Sequence, residues 1–148
     1  MRARRAAAIG PVDVSRRLPH RHPLLLLDRV DDLEVGVSAV GTKNVSISDP
    51  VFAGHFPGNP IYPGVHMIEV AAQLCGLIGS SDEQGPVLGY LASIKRFRFR
   101  ALVVPGDQMK ITARAGASIG ALTEFAVEIT VDGGVVASGV LAIARGQG

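Results

Sequence analysis

Residues 65–78 have the sequence VHMIEVAAQLCGLI, which predicts a long α-helix. No proline interrupts the stretch, and at the standard helical rise it spans roughly 20 Å. Apolar residues lie on nearly every face of this helix, a pattern typical of helices that the rest of the protein surrounds. We therefore expect one central, buried helix.

The segment in front of this helix has the opposite character. Between positions 49 and 64 it contains Pro50, Gly54, Pro57, Gly58, Pro60, Pro63 and Gly64. Such a density of prolines and glycines excludes the interior of a helix or strand. We interpret the segment as a loop of fixed shape.

The remaining sequence predicts strands on both sides of the helix. The candidate strands are residues 24–30, 35–47, 87–99, 109–115, 122–131 and 135–144, with a hairpin turn at residues 132–134. Alternation of strands with helices, as in parallel sheets, is absent. The pattern predicts an α+β fold in which five to six mainly antiparallel strands wrap around one long central helix.

Composition favours one globular domain, which we place at residues 13–148. The chain has 148 residues, of which 47% are hydrophobic, and a net charge of +2. Its basic N-terminus carries too short an apolar run for a signal peptide or membrane span, so we expect residues 1–12 to be a disordered leader. Cys75 has no cysteine partner, and no His/Cys cluster suggests a metal site. We expect a cytoplasmic protein without metal or membrane contact.

Glu69 is the most unusual residue of the predicted helix. Its apolar neighbours predict burial, and a buried carboxylate costs several kcal/mol unless it is paired or neutralised. No Lys or Arg occurs between residues 44 and 94, so a salt bridge would need a distant partner. Gln73, four positions on, lies on the same helical face and can orient Glu69 by a hydrogen bond. Desolvation without a cation favours the protonated form, as a general acid requires.

His55 lies in the loop between Gly54 and Phe56. It is either a hydrogen-bonded turn residue or a base that the neighbouring prolines hold in a fixed position. His66 is a rival candidate, because it lies three residues before Glu69. Two further histidines, which have no acidic residue close by in sequence, are interpreted as structural: His20 and His22.

Gly64 begins the predicted helix, where backbone N–H groups lack intrahelical acceptors and suit a carbonyl oxygen that gains negative charge. Pro63 and the missing Cβ of Gly64 would let a substrate approach closely. Cys75 lies mid-helix among apolar residues, which favours an inert thiol over a nucleophile. No glycine-rich segment matches a dinucleotide or phosphate loop, so we expect a reaction without a cofactor.

A basic stretch follows the helix. It contains Lys95, Arg96, Arg98 and Arg100. Nucleic acid, a solvated strand face and an acidic partner protein are all compatible with such a stretch, but the interleaved aromatic residues favour a strand. We expect no nucleic acid partner.

Several motifs together resemble one family. They are LPHRHP at 18–23, LDR at 27–29, GHFPGNPIYPGV at 54–65, Glu69 with Ala72 and Gln73, and VVPGD at 103–107. In this order they resemble the β-hydroxyacyl-acyl-carrier-protein dehydratases of type II fatty acid synthesis, over about residues 15–145.

This resemblance implies a hot-dog fold and a homodimer, possibly assembled into a trimer of dimers, with each site at the subunit interface. His55 of one protomer would remove the α-proton of a 3-hydroxyacyl chain on the acyl carrier protein, and Glu69 of the other would protonate the leaving hydroxyl. Gly64 would bind the thioester carbonyl, and Gln73 would orient Glu69. The substrate loop would comprise Phe56, Pro57, Gly58 and Pro63.

The chain departs from the family pattern at His66, at residues 95–97 and at residues 101–102. These changes leave the substrate open between primary fatty acid and polyketide pathways, and they make residues 95–100 a candidate docking surface for the acidic carrier. Two alternatives are a hot-dog acyl thioesterase and a dehydratase-like subunit of a heterodimer.

Overall fold

The computed structural model of the protein describes residues 5–6, 8–80 and 85–146. The helices are α1 (Pro11–Arg17) and α2 (Gly64–Ile78), with a 3₁₀ turn at Pro50–Ala53. The strands are β1 (Arg5–Ala6), β2 (Arg29–Glu34), β3 (Ser38–Asn44), β4 (Gly89–Phe99), β5 (Gln108–Ile119), β6 (Leu122–Val131) and β7 (Gly134–Arg145). Within these ranges, neither helix has the length and apolar character needed to cross a lipid bilayer.

The strands form one antiparallel sheet in the order β1-β2-β3-β5-β6-β7-β4. The β6–β7 hairpin turns at Asp132-Gly133, where both residues have positive φ angles of 49° and 81°. The predicted α+β fold with an antiparallel sheet and a central helix is confirmed. Six of the strands have six residues or more, and the two-residue β1 extends the sheet at one edge.

Helix α2 packs against the concave centre of the sheet through an apolar face that includes Met67, Val70, Leu74 and Leu77, each at most 2% exposed. Gly41 of β3 permits the close approach. A Cβ atom there would lie 3.0 Å from a methyl carbon of Leu74. The helix is buried because glycine and small residues leave room for its bulky side chains.

The structure differs from the predicted strand at residues 24–30, because β2 begins only at Arg29. The backbone of this segment forms hydrogen bonds with the side chain of Gln73 instead of with a neighbouring strand. Its Oε1 accepts from the N–H groups of Leu26 and Leu27, and its Nε2 donates to the carbonyl of Leu24. The apolar run is therefore an ordered loop on α2.

The prediction of a disordered leader at residues 1–12 needs correction for the part of it that the structure describes. Arg5–Ala6 pairs with β2, Ile9 is 4% exposed and bridges Val30, and α1 begins at Pro11. An apolar side chain and two backbone hydrogen bonds at Ile9 fasten the segment to the sheet. Residues 1–4 and 7 lie outside the described residues.

Strand β4 forms the other edge of the sheet and pairs with β7. It carries large apolar side chains on its surface, with Tyr90 59%, Ile94 48% and Phe99 49% exposed. Long edge strands with apolar surfaces are rare on proteins that act as monomers, because they invite pairing. The face of β4 is therefore the strongest candidate for an interface.

Candidate active site

The loop before α2 holds His55 by backbone and side-chain hydrogen bonds. The 3₁₀ turn in front of it is capped by Asp49, whose Oδ1 accepts from the Val51 N–H at 2.9 Å. The His55 N–H donates to the carbonyl of Val51, and its own carbonyl accepts from the Ile61 N–H. His55 is thus fixed from both sides.

The imidazole of His55 has a defined tautomer. Its Nδ1 lies 2.6 Å from the carbonyl oxygen of Ile61, and a carbonyl can only accept, so Nδ1 carries the proton. The Phe56 ring stacks on the imidazole with 4.0 Å between centroids. In the neutral imidazole, Nε2 is then the nitrogen with a free lone pair, which is the arrangement that a general base needs.

The tip of the loop is a closed turn. Phe56 and Asn59 exchange two backbone hydrogen bonds of 3.0 and 2.9 Å, and Gly58 between them has a φ of 71°. Phe56, Pro57 and Gly58 are exposed, while Pro63 is buried at the start of α2. The predicted substrate loop therefore has a rigid, exposed tip, and its end next to α2 is buried.

Helix α2 begins without a side-chain cap. The carbonyl of Pro63 accepts from the N–H groups of His66 and Met67, so the N–H groups of Gly64 and Val65 have no acceptor within the helix. The space beside Gly64 differs from our expectation of direct substrate approach. The Phe99 ring of β4 fills it, 3.0 Å from where a Cβ would lie.

Glu69 is only partly buried, and its side chain is 24% exposed. The predicted contact with Gln73 is present, since Nε2 of Gln73 donates to Glu69 Oε1 at 2.9 Å. The sequence requires any ionic partner of Glu69 to be distant in the chain, and the residue found beside it is a histidine. Nε2 of His20 lies 3.4 Å from the same Oε1, a partner that a search for nearby Lys or Arg does not find.

Gln73 is itself held on every side. It is 1% exposed, it uses both amide hydrogens on Glu69 Oε1 and the Leu24 carbonyl, and its oxygen accepts from Leu26 and Leu27. An amide with two acceptors and two donors engaged cannot turn without breaking several bonds. The orientation of Glu69 is therefore built into the core.

Glu69 borders a cavity of about 60 Å³ together with His20 and Gln73. A second cavity of about 220 Å³ lies along the C-terminal half of α2. Both are lined by Gly76, Val87, Gly89 and Ile143. The carboxyl group thus lines the smaller of two cavities that share these apolar residues.

His55 and Glu69 are not joined by any hydrogen bond or ion pair within the described residues. His55 faces Ile61, whereas Glu69 faces His20 and Gln73. Their roles, and those of Gly64 and Gln73, stay predictions.

The remaining candidates lie apart from this site. His66 packs edge-on against Tyr62 with 5.8 Å between ring centroids and lines, with His22, an open cleft of about 720 Å³ that includes neither His55 nor Glu69. Burial raises the pKa of the Cys75 thiol, so it stays neutral. Among the described residues, no group of three His, Cys, Asp or Glu side chains could hold a metal ion.

The basic stretch lies on β4 and just beyond it. Lys95 is paired with Glu124 of β6. Exposed guanidinium groups extend from the edge of the sheet at Arg96, Arg98 and Arg100. The strand is irregular here, since its pairing with β7 shifts between residues 95 and 98 and Arg96 has a φ of 49°.

Three curated relatives match nearly the whole chain, and each is named 3-hydroxyacyl-acyl-carrier-protein dehydratase FabZ. The relative from Syntrophotalea carbinolica is 44% identical over 135 residues, covering 88% of this chain and 90% of its own. That from Shewanella baltica is 44% identical over 138 residues, covering 90% of each. That from Agrobacterium fabrum is 39% identical over 148 residues, covering 95% and 96%.

Solved structures support the fold. The dehydratase heterocomplex ApeI:P from Xenorhabdus doucetiae aligns with a TM-score of 0.74 and 23% identity, covering 90% of this chain and 91% of that one. A hot-dog-like protein from Thermanaerovibrio acidaminovorans aligns with a TM-score of 0.61 and 19% identity, covering 78% and 84%. At these identities the likeness concerns the fold alone, and the hot-dog prediction is confirmed.

The FabA-like domain model matches residues 18–140, which include His55, the start of α2, Glu69 and Gln73. With this match and relatives above 40% identity along most of the chain, the protein belongs to the FabA-like family.

Proposed function

We propose that this protein removes water from 3-hydroxyacyl thioesters of an acyl carrier protein and leaves the trans-2-enoyl thioester, in fatty acid or polyketide biosynthesis. Relatives at 39–44% identity bear the name of that activity. The observation that carries the proposal is the Glu69 carboxyl, which the buried amide of Gln73 orients and which lines a cavity with mostly apolar walls. An elimination of water needs such an acid at the 3-hydroxyl group and a base at the α-carbon.

His55 is the proposed base. Its unprotonated Nε2 takes the α-proton of the 3-hydroxyacyl chain, and the electron pair of that C–H bond moves toward the thioester carbonyl. The N–H groups of Gly64 and Val65 at the start of α2 stabilise the negative charge on that oxygen. The bond between Ile61 and Nδ1 keeps the ring in the tautomer that can accept.

Glu69 is the proposed acid. The electron pair returns to form the double bond between Cα and Cβ, the C–O bond to the 3-hydroxyl breaks, and Glu69 gives its proton to the departing oxygen to make water. His55 gains one proton and Glu69 loses one. Before the next turnover His55 must therefore lose a proton and Glu69 must regain one. No electron leaves or enters, so the reaction needs no redox cofactor.

We further propose a homodimer that pairs through β4. Tyr90, Ile94 and Phe99 supply the apolar surface, and Phe99 reaches from that strand to Gly64 at the start of α2. By family resemblance, such a dimer shares each site, with His55 from one chain and Glu69 from the other. Assembly of three such dimers rests on family resemblance.

Docking of the acidic carrier is proposed at the exposed guanidinium groups of Arg96, Arg98 and Arg100, while Lys95 is engaged by Glu124. Replacing these three arginines by glutamine should raise the KM for the carrier-bound substrate and leave the KM for a short pantetheine thioester unchanged, because only the carrier is acidic. Added salt should weaken carrier binding by the wild type. A KM that does not respond to either change would remove this part of the proposal.

The decisive experiment uses the chain expressed alone and a 3-hydroxyacyl carrier. Mass spectrometry of the carrier should reveal loss of one water with the acyl group still attached. Release of free acid would instead identify a thioesterase, and a hypothetical thioesterase from Streptococcus pneumoniae shares the fold with a TM-score of 0.61 and 14% identity. Activity only after adding a second, different chain would identify a heterodimer subunit. A series of acyl lengths would then define the substrate range.

A further inference from the structure

His20 touches the candidate acid, although its sequence context favours a structural role. Its Nε2 lies 3.4 Å from Oε1 of Glu69, and each of the two side chains is 24% exposed. The other ring nitrogen, Nδ1, is buried and has no hydrogen-bond partner in the described chain. His20 is a half-buried imidazole whose Nε2 faces a carboxylate oxygen. Apolar packing alone would not require this contact.

We propose that His20 is a positioning residue that acts through Glu69, and that it determines which carboxyl oxygen carries the reactive proton. This inference rests on the proposed dehydration. Nε2 of His20 and Nε2 of Gln73 both approach Oε1. Oε1 accepts the hydrogen bond of Gln73 and faces His20, so in this proposal Oε2 carries the reactive proton.

The arrangement keeps its geometry while the proton moves. In a protonated carboxyl, the oxygen without hydrogen still accepts hydrogen bonds, so Oε1 keeps both donors before and after Glu69 gives up its proton. Hydrogen bonds to an ionised carboxylate are stronger than those to a neutral one, so both donors favour the proton transfer. At 3.4 Å the His20–Glu69 contact is looser than a hydrogen bond, and the proposal requires it to tighten when substrate binds, as catalytic hydrogen bonds often do.

The apolar walls around Glu69 increase the energetic effect of its contact with His20. The cavity at Glu69 has three polar side chains in its lining, those of His20, Glu69 and Gln73, while Leu18, Leu91 and Ile143 contribute apolar wall. The nearest guanidinium in sequence, that of Arg21, is engaged by the carbonyls of Leu18 and His20. In an apolar cavity each hydrogen bond to a charged group is worth more than in water.

Two variants of similar length separate this role from packing. His20→Gln places an amide N–H close to the position of the imidazole Nε2, whereas His20→Met fills similar space without a donor. We expect His20→Met to lower kcat by about 10- to 100-fold with little change in KM, as for the loss of a hydrogen bond to a charged group. His20→Gln should recover most of that loss.

A double substitution tests whether His20 acts through Glu69. In a Glu69→Gln background, adding His20→Met should change the residual rate by less than about twofold, because the carboxylate it serves is already gone. A full additional loss would overturn the inference. So would a His20→Met enzyme with wild-type kcat, or a His20→Gln enzyme as slow as His20→Met.

The controls keep the two proposals apart. Wild-type dehydration of the carrier-bound substrate tests the proposed function, and its absence would refute that function whatever the variants do. Wild-type activity with a kcat that His20→Met leaves unchanged would refute only the role of His20. The circular dichroism spectrum and the mass of the assembly must match those of the wild type for both variants. If His20→Met does not fold, the kcat of His20→Gln is compared with that of the wild type.

Discussion

At the scale of single residues, the site separates into a base held by backbone and an acid held by side chains. His55 owes its tautomer to the carbonyl of Ile61, whereas Glu69 owes its orientation to Gln73 and His20. A carbonyl in a proline-rich loop is difficult to change by substitution, but both partners of Glu69 are side chains. Substitutions can therefore change the environment of the acid, Glu69, more readily than that of the base, His55.

Replacing either proposed catalytic group should nearly abolish turnover. We expect His55→Ala and Glu69→Gln each to lower kcat by about 10²- to 10⁴-fold, the usual contribution of a positioned acid or base. Neither should unfold the protein, because His55 is half-buried in a loop held by backbone bonds and glutamine at 69 can still accept from Gln73. Rates on a 3-hydroxyacyl carrier, together with thermal melting curves, check both statements. A folded variant with near-normal turnover would contradict its assigned role.

Gln73 should matter for stability as well as for turnover. Gln73→Leu leaves the Leu26 and Leu27 N–H groups and the Leu24 carbonyl without their partner, which costs about 1–3 kcal/mol for each group that stays dry. Glu69→Gln is the matched control, because it changes the neighbouring side chain and leaves the three backbone groups bonded to Gln73. Urea unfolding should place Glu69→Gln near wild type and Gln73→Leu below both. Equal stability of all three would contradict this set of hydrogen bonds.

At the scale of elements, the junction of β4 and β7 depends on one glycine. A Cβ atom at Gly139 would lie 2.7 Å from the Cα of Phe97, so even alanine must push the strands apart. Gly139→Ala should lower the free energy of unfolding by about 1–3 kcal/mol. Gly134→Ala, in the same strand, is the control, because its nearest neighbour would be 3.6 Å away. Chemical denaturation of both variants tests the difference, and equal stability would show that β4 yields without cost.

Strands β2, β3 and β5 are joined by a polar cluster on their outer face. Burial alone would raise the pKa of Asp31, but the Thr42 hydroxyl at 2.6 Å and the Lys110 ammonium at 3.0 Å outweigh it, so its pKa lies below the ordinary 3.8. A lowered folded pKa stabilises the protein above the unfolded value, and this stabilisation disappears as the pH falls through the folded value.

Asp31→Asn should therefore destabilise the protein at neutral pH, and the effect should shrink as the pH falls below 3.8 and through the lowered folded pKa of Asp31. Urea unfolding at neutral pH and in acid measures the change. Glu128→Gln, at an exposed position of β6, provides the comparison and should resemble wild type throughout. A destabilisation by Asp31→Asn that is independent of pH would mean that shape rather than charge matters at this position.

Local patterns predicted the elements better than the contacts between them. The helix at 65–78 follows from a long apolar stretch without proline, and the strand at 122–131 follows from its residue pattern. The Gln73–Glu69 contact follows from their four-residue spacing. The same spacing does not reveal His20, which reaches Glu69 through the tertiary fold. It also does not reveal that Gln73 would take the backbone bonds of Leu24–Leu27 and leave an apolar run as a loop. Long-range hydrogen bonds overrode local propensity there.

At the scale of the whole molecule, the question is whether a complete site needs two chains. If His55 and Glu69 meet across an interface, coexpressing His55→Ala with Glu69→Gln in equal amounts should restore about a quarter of wild-type activity. Random pairing makes half of the dimers mixed, and each mixed dimer has one intact site of two. Two differently tagged copies of His55→Ala should stay inactive together. Mixed dimers of normal mass without restored activity would place both groups in the same chain.

The four hydrogen bonds of Gln73 have a consequence for how sequences of this kind are interpreted. The amide supports the Leu24–Leu27 loop whether or not a carboxylate stands beside it. A descendant of this chain that lost Glu69, and with it the chemistry, would still need glutamine here in order to fold. Glutamine at this position therefore indicates that a sequence has this fold, whereas His55 and Glu69 together indicate that it has the enzymatic activity.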